Sequence, residues 1–263
     1  MHNIIGFIKN GVRYTSKKLF FYFVYAFYWN KKGMKIYMKN KYNLTKQQNI
    51  FLAKRNIVDN IYANARMEGI NITFPQTKTI LEGVNVANLK LDEIQVILNL
   101  RDAWKYVINN IDVPFNIEFI CRINELVSRN ESIEWGVLRN GKVEITGTSY
   151  IPRVPIKTEV EKHIEDILKI ENTTERAIEY MLYGMKSQLF WDGNKRTSTI
   201  AANKIMIENG NGIIKVPENK LEEFNILLSK FYTDDYKDNI KQFIFDNCID
   251  GIVFWWNLVA LYY

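Results

Sequence analysis

The chain has 263 residues, 47% hydrophobic and 24% charged, which fits one domain with a large core, or one such domain with extensions. Its formal net charge of +6 is spread along the chain, and much of its Asn, Ile and Lys usage looks like AT-rich coding bias, so the basic balance is weak evidence for a nucleic-acid partner. With only His2 and His163 there is little from which to build a histidine-based zinc site, and Cys121 and Cys248 read as buried free thiols of a reducing cytoplasm.

In chain order, residues 1–40 read as an N-terminal extension. Within it, residues 19–29 (LFFYFVYAFYW) are eleven apolar or aromatic residues between lysine pairs, short of the ~20 a spanning helix needs. They could be an interfacial anchor, an extension upstream of a start near Met34 or Met38, or a packed helix; membrane association would run through them. From Thr45 the pattern turns helical, with a capping box at Thr45 and Gln48, and one helix is expected to run to Gly69. Further helices are expected at 91–108 and 116–128. Residues 136–155 carry the strand signals, since Asn140 and Gly141 sit between short alternating runs as in a β-hairpin. Helices follow at 158–168, 173–186, 197–208, 218–231 and 237–248, and an apolar tail at 251–263 comes after the last of them. No repeat or linker divides the chain, so the expectation is a mainly α domain over 41–250 with one hairpin.

The densest chemical signal is SQLFWDGNKR at 187–196, between two expected helices. The loop delivers Gly193 and Asn194 to a helix N-terminus, where free N–H groups and the helix dipole favour an anion. Gly lets the backbone approach closely, and Asn tolerates the left-handed conformation of an anion nest. Asp192 is a hard oxygen ligand suited to Mg²⁺, while Lys195 and Arg196 supply charge for phosphates. A helix-loop-helix turn with a solvated charge cluster is the alternative.

The same segment resembles the signature of the Fic (Fido) family, His-Pro-Phe-x-Asp/Glu-Gly-Asn-Gly/Lys-Arg-x-x-Arg, whose members transfer AMP from ATP to protein hydroxyls. Phe190, Asp192, Gly193, Asn194, Lys195 and Arg196 match in register, while Gln188 replaces the histidine, Leu189 the proline and Thr199 the last arginine. NARMEGI at 64–70 resembles the family's inhibitory motif, with Glu68 and Gly69 in place and Asn64 at the hydroxyl position. Residues 135–152 resemble the hairpin flap that holds a target peptide, with Thr146, Gly147 and Thr148 nearest the target hydroxyl.

The resemblance implies a Fic-type helical bundle that uses ATP and Mg²⁺, with a protein target docking on the hairpin edge. It implies Asp192 on the metal, Gly193 and Asn194 on the α-phosphate, and Arg196 on the β-phosphate; Lys195 either joins them or is solvated. Gln188 cannot accept a proton where the family has its general base, a loss of ~10²–10⁴ in rate. With Thr199 neutral, Glu68 either turns to Arg196 or merely caps its helix. Three readings stay open: an AMP transferase, working or slow; a nucleotide-binding pseudoenzyme or regulatory module; and a DNA- or membrane-associated protein that kept the fold alone.

Overall fold

A computed structural model describes residues 38–253; the apolar segments at 19–29 and 254–259 lie outside them. The described chain is mainly helical, in the order α1 (Lys46–Arg55), α2 (Ile57–Met67), α3 (Phe74–Leu81), α4 (Leu91–Asn109), α5 (Ile117–Val127), α6 (Lys157–Leu168), α7 (Thr173–Ser187), α8 (Asn194–Glu208), α9 (Leu221–Asp234) and α10 (Asp238–Asn247). Two short strands, β1 (Ile213–Ile214) and β2 (Ile249–Asp250), pair antiparallel. None of these helices is long and apolar enough to cross a membrane.

Most elements start where the sequence supplies a cap. Thr45 and Thr73 form capping boxes with Gln48 and Gln76, and Asn116 and Asn172 accept the N–H groups of Phe119 and Glu175. The Thr73 box starts α3, which the sequence reading passed over. The helix expected from Thr45 to Gly69 is broken once, at Asn56 (φ −97°, ψ 18°), giving α1 and α2.

Helix α8 is the centre of the domain. It packs along α7 and also touches α1, α2, α4, α5 and β1. Gly184 of α7 lets the two helices close, because a Cβ there would run into Ser198. A helix buried on all sides normally carries apolar residues throughout, yet α8 buries Arg196, Thr199, Asn203 and Lys204. Each has a partner. Asn203 bonds the Ile214 N–H and C=O at 2.8 Å each, extending the two-stranded ladder with a side chain, and Lys204 meets Glu208 at 2.6 Å. Cys121 and Cys248 are free, and burial pushes their thiols up to about 11 and about 12, so both are poor nucleophiles.

Lys241 of α10 joins Glu175 (2.9 Å) and Glu179 (2.5 Å) of α7, and Lys237 adds a second contact to Glu179 at 2.8 Å. Burial pushes the Glu179 carboxyl up, but the two lysine hydrogen bonds outweigh it and hold its pKa below the ordinary 4.5. A depressed carboxylate contributes stability that is complete above its unfolded pKa and is lost as pH falls through the folded value. Glu179→Gln should therefore cost about 1–2 kcal/mol at neutral pH, since Lys241 keeps Glu175. Denaturant titrations should show the gap to wild type closing below about pH 4. A gap independent of pH would show that the pair does not carry this stability.

Candidate functional site

The loop between α7 and α8 is held in one shape by its own side chains. Helix α7 ends at Gln188 in the left-handed region (φ 46°, ψ 60°), a costly conformation for a residue other than Gly, Asn or Asp. Its side chain offsets that cost. Nε2 donates to the Met185 carbonyl at 2.7 Å, and Oε1 accepts from Asn194 Nδ2 at 3.1 Å. Asn194 also donates to the Phe190 carbonyl (2.8 Å) and accepts from the Phe190 N–H (2.9 Å).

Asn194 is thus the first residue of α8, with its amide turned into the loop, rather than a left-handed member of an anion nest as the sequence suggested. Gly193 is the left-handed residue (φ 71°), and only glycine fits, because a Cβ would strike Ser128 and Val127 of the α5 terminus. The N–H groups of Asn194, Lys195 and Arg196 have no hydrogen-bond partner among the described residues.

Arg196 is the buried charge of the site, 3% exposed and ringed by carboxylates. It meets Glu131 at 2.7 Å, Asp192 at 3.5 Å and Glu68 at 3.7 Å. Burial works against its charge, but Glu68, Glu131 and Asp192 overcome that and raise its pKa above the ordinary arginine value. Glu131 is the firm partner, since its other oxygen accepts from Asn99 of α4 at 2.7 Å. Glu68 is looser. Its Oε1 and the Arg196 Nε are both buried without a hydrogen bond, and its Oε2 lies 4.0 Å from Lys195. Lys195 is tied to the end of α2 by a 3.0 Å bond to the Met67 carbonyl, so it is not simply solvated. Of the two roles left open for Glu68, it takes both: it caps α2 and reaches Arg196.

A cleft of about 620 Å³ opens beside these charges. Glu68, Gly69, Thr146, Thr148, Gln188 and Lys195 line it, with Tyr232 of α9 supplying an aromatic wall. Gly147, Asp192, Gly193, Asn194 and Arg196 are not on its lining. Asp192 stands half exposed, with Oδ1 on the Gly193 N–H at 2.5 Å and Oδ2 without a hydrogen bond among the described residues. Among those residues no group of three or more His, Cys, Asp or Glu could hold a metal alone. One carboxylate with a free oxygen suits Mg²⁺, which takes its remaining ligands from water and substrate phosphates. His163 is exposed on α6, stacked on Tyr183 at 4.2 Å, and does not line the cleft.

The expected hairpin at 136–155 contains no strand pairing. A two-residue hairpin turn of the favoured type needs positive φ at both central residues, and neither Asn140 nor Gly141 has it. Gly141 is instead where Trp191 packs, with room for no Cβ. The segment is pinned by Arg139, 1% exposed and, among the described residues, without a carboxylate partner. Its guanidinium donates to the carbonyls of Gln188 (2.5 Å), Arg153 (2.7 Å) and Gly141, while its backbone N–H donates to Leu189 (3.0 Å). Burial lowers its pKa, and the negative end of the α7 dipole stands in for the missing anion. Long-range bonds to the signature loop have replaced the local ladder.

Three further residues shape the site without having been expected there. Asn124 of α5, fully buried, donates to the Asp192 carbonyl (2.9 Å) and Thr197 (3.2 Å) and accepts from the Gly136 N–H (2.9 Å). Ser128 also donates to the Asp192 carbonyl, at 3.0 Å, and Glu131 holds Arg196. The one available clue was an asparagine on the apolar face of α5, among Ile117, Ile120, Ile123 and Val127. Asn64, at the hydroxyl position of the inhibitory motif, is buried and accepts from the Trp104 indole at 3.0 Å.

Residues 114–206 match the model of the Fic/DOC family. Fic-1 of C. elegans (residues 134–508) is 20% identical with a TM-score of 0.63, over 87% of this chain and 66% of that one. A Fic-domain signaling protein of Bacteroides thetaiotaomicron is 18% identical (TM-score 0.60; 70% and 75% covered). A Fic family protein of Desulfovibrio desulfuricans is 19% identical (TM-score 0.60; 76% and 65% covered). No curated protein matches the chain in sequence. Residues 114–206 thus carry a match to the Fic/DOC family, and the chain spans slightly less than two thirds of the C. elegans chain it resembles in fold.

Asn124→Ala should cost about 1–3 kcal/mol in urea unfolding, because it strands the Gly136 N–H and leaves the Asp192 carbonyl to Ser128 alone. A loss below about 0.5 kcal/mol would mean that water replaces the amide and that Asn124 is not the brace of this loop.

Proposed function

We propose that the cleft binds a nucleotide with Mg²⁺, ATP in the manner the family resemblance implies, in a Fic-type protein whose AMP transfer is impaired by the loss of its base. The observation that carries this reading is the Glu68 carboxylate. It lies between Lys195 and the unpartnered Nε of Arg196, making full hydrogen bonds to neither, as an anion does in a seat shaped for another anion. A phosphate in that position would gain charge-assisted bonds that the carboxylate does not make. Asp192 would hold the metal, and the free N–H groups at the start of α8 would meet the neighbouring phosphate oxygens. Bound Mg²⁺ would neutralise phosphate charge and fix phosphate geometry. Tyr232 would offer the nucleotide an aromatic contact.

Gln188 supports the second reading, a nucleotide-binding module without transfer. Its amide is engaged at both ends, by Met185 and Asn194, and can take no proton from an incoming hydroxyl. A protein target would lie along the irregular 142–156 segment, whose backbone closes a turn at 145–148 and whose Thr146 and Thr148 reach the cleft.

Calorimetry with Mg-ATP tests the nucleotide reading. Asp192→Ala should weaken binding with Mg²⁺ and leave metal-free binding unchanged. Arg196→Ala is a poorer probe, because it leaves Glu131 buried without its cation. Absence of any binding by the wild-type chain would remove the nucleotide reading.

Gln188→His, combined with Glu68→Gly to open the seat, should create an AMP adduct on the chain or on an added protein, detected by mass spectrometry. A folded, ATP-binding double variant without an adduct would leave binding as the function. In a double variant that forms the adduct, deleting residues 146–148 should abolish transfer while preserving nucleotide affinity.

A further inference from the structure

The positive charge that α8 offers the cleft is limited and can be counted. Lys195 lines the cleft, 4.0 Å from Glu68 Oε2. Arg196 has one free edge, its Nε, 3.7 Å from Glu68 Oε1; its NH1 is taken by Glu131 (2.7 Å) and the Val127 carbonyl (3.3 Å). The next residue on the Lys195 face of the helix is four positions on, at 199. Thr199 is neutral and 1% exposed, and its hydroxyl donates back to the Lys195 carbonyl at 2.9 Å.

The remaining cation on the lining, Arg66, makes no ion pair with Glu68; its terminal nitrogens are taken and its Nε is buried without a hydrogen bond. It pairs with Glu218 at 3.2 Å and donates to the Ile70 carbonyl at 3.1 Å. Glu144 brings a further negative charge to the lining. With Glu68 displaced, two cationic contacts remain and a third anionic group meets none.

Resting on the nucleotide reading above, we infer that this cleft holds two phosphates of its nucleotide and gives the third no partner, so that a nucleoside diphosphate binds as tightly as the triphosphate. Each phosphate that gains a charge-assisted bond should add about tenfold in affinity, and one that gains none should add nothing. Calorimetry of the full chain with AMP, ADP and ATP, each with Mg²⁺, should therefore find ADP about tenfold tighter than AMP and ATP within about threefold of ADP. The same order should hold on Glu68→Gly, where the seat is open.

Thr199→Arg should tighten ATP about tenfold and leave ADP unchanged, with a melting curve to check that this buried position accepts the change. Lys195→Met, at a half-buried site, should weaken ADP and ATP by equal factors. ATP binding tenfold or more tighter than ADP, or a Lys195→Met loss falling mainly on ATP, would overturn the inference while leaving the nucleotide reading standing. Binding of none of the three nucleotides would remove both.

Discussion

The buried guanidinium of Arg196 is the contact on which the rest of the site depends. A charge this enclosed persists only if its partners are fixed, and Glu131 is fixed from its far side by Asn99 of α4. That pair ties α8, α4 and the end of α5 to one point. It also leaves a single free edge of Arg196, and that edge faces the Glu68 carboxylate. The geometry of the cleft follows: the end of α2 closes over the start of α8, held by Lys195 on the Met67 carbonyl. Glu68 is the weakest member of this arrangement, with one oxygen buried and unbonded, so displacing it costs less than displacing Glu131 would.

The loop between α7 and α8 shows how a turn is held around a residue its backbone disfavours. Gln188 occupies a left-handed position that its side chain makes tolerable by closing onto Met185 and Asn194. Arg139 holds the same turn from outside through the Gln188 and Leu189 carbonyls. Gln188 is a structural cap, and no histidine takes part in holding the loop.

Much of this was legible because the signals were local. The Thr45 cap could be read from a few residues, and so could the concentration of chemistry at 187–196; the caps at Asn116 and Asn172 are equally local, whereas the left-handed residue of the loop is Gly193 and not Asn194. What could not be read was decided by partners distant in sequence. Asn140 and Gly141 look like a hairpin turn until Trp191 packs on the glycine and Arg139 draws the segment to the signature loop. Asn194 looked free to bind a ligand until its amide was seen to close the loop on Phe190. Asn124 and Glu131 act across more than sixty residues of chain, so nothing beside them in sequence reveals their roles. The Thr73 capping box was local and readable, and α3 could have been found from it.

If the space between α2, α8 and the 136–155 segment is a nucleotide seat held by Glu68, nucleotide must alter the backbone around it. Hydrogen–deuterium exchange with and without Mg-nucleotide tests it most directly, since it reports where a ligand acts without requiring turnover. Exchange should slow at residues 144–148 and 188–196 and change at 66–70 as Glu68 gives way. Unchanged exchange in all three stretches at saturating nucleotide, or protection confined to another face of the domain, would contradict it.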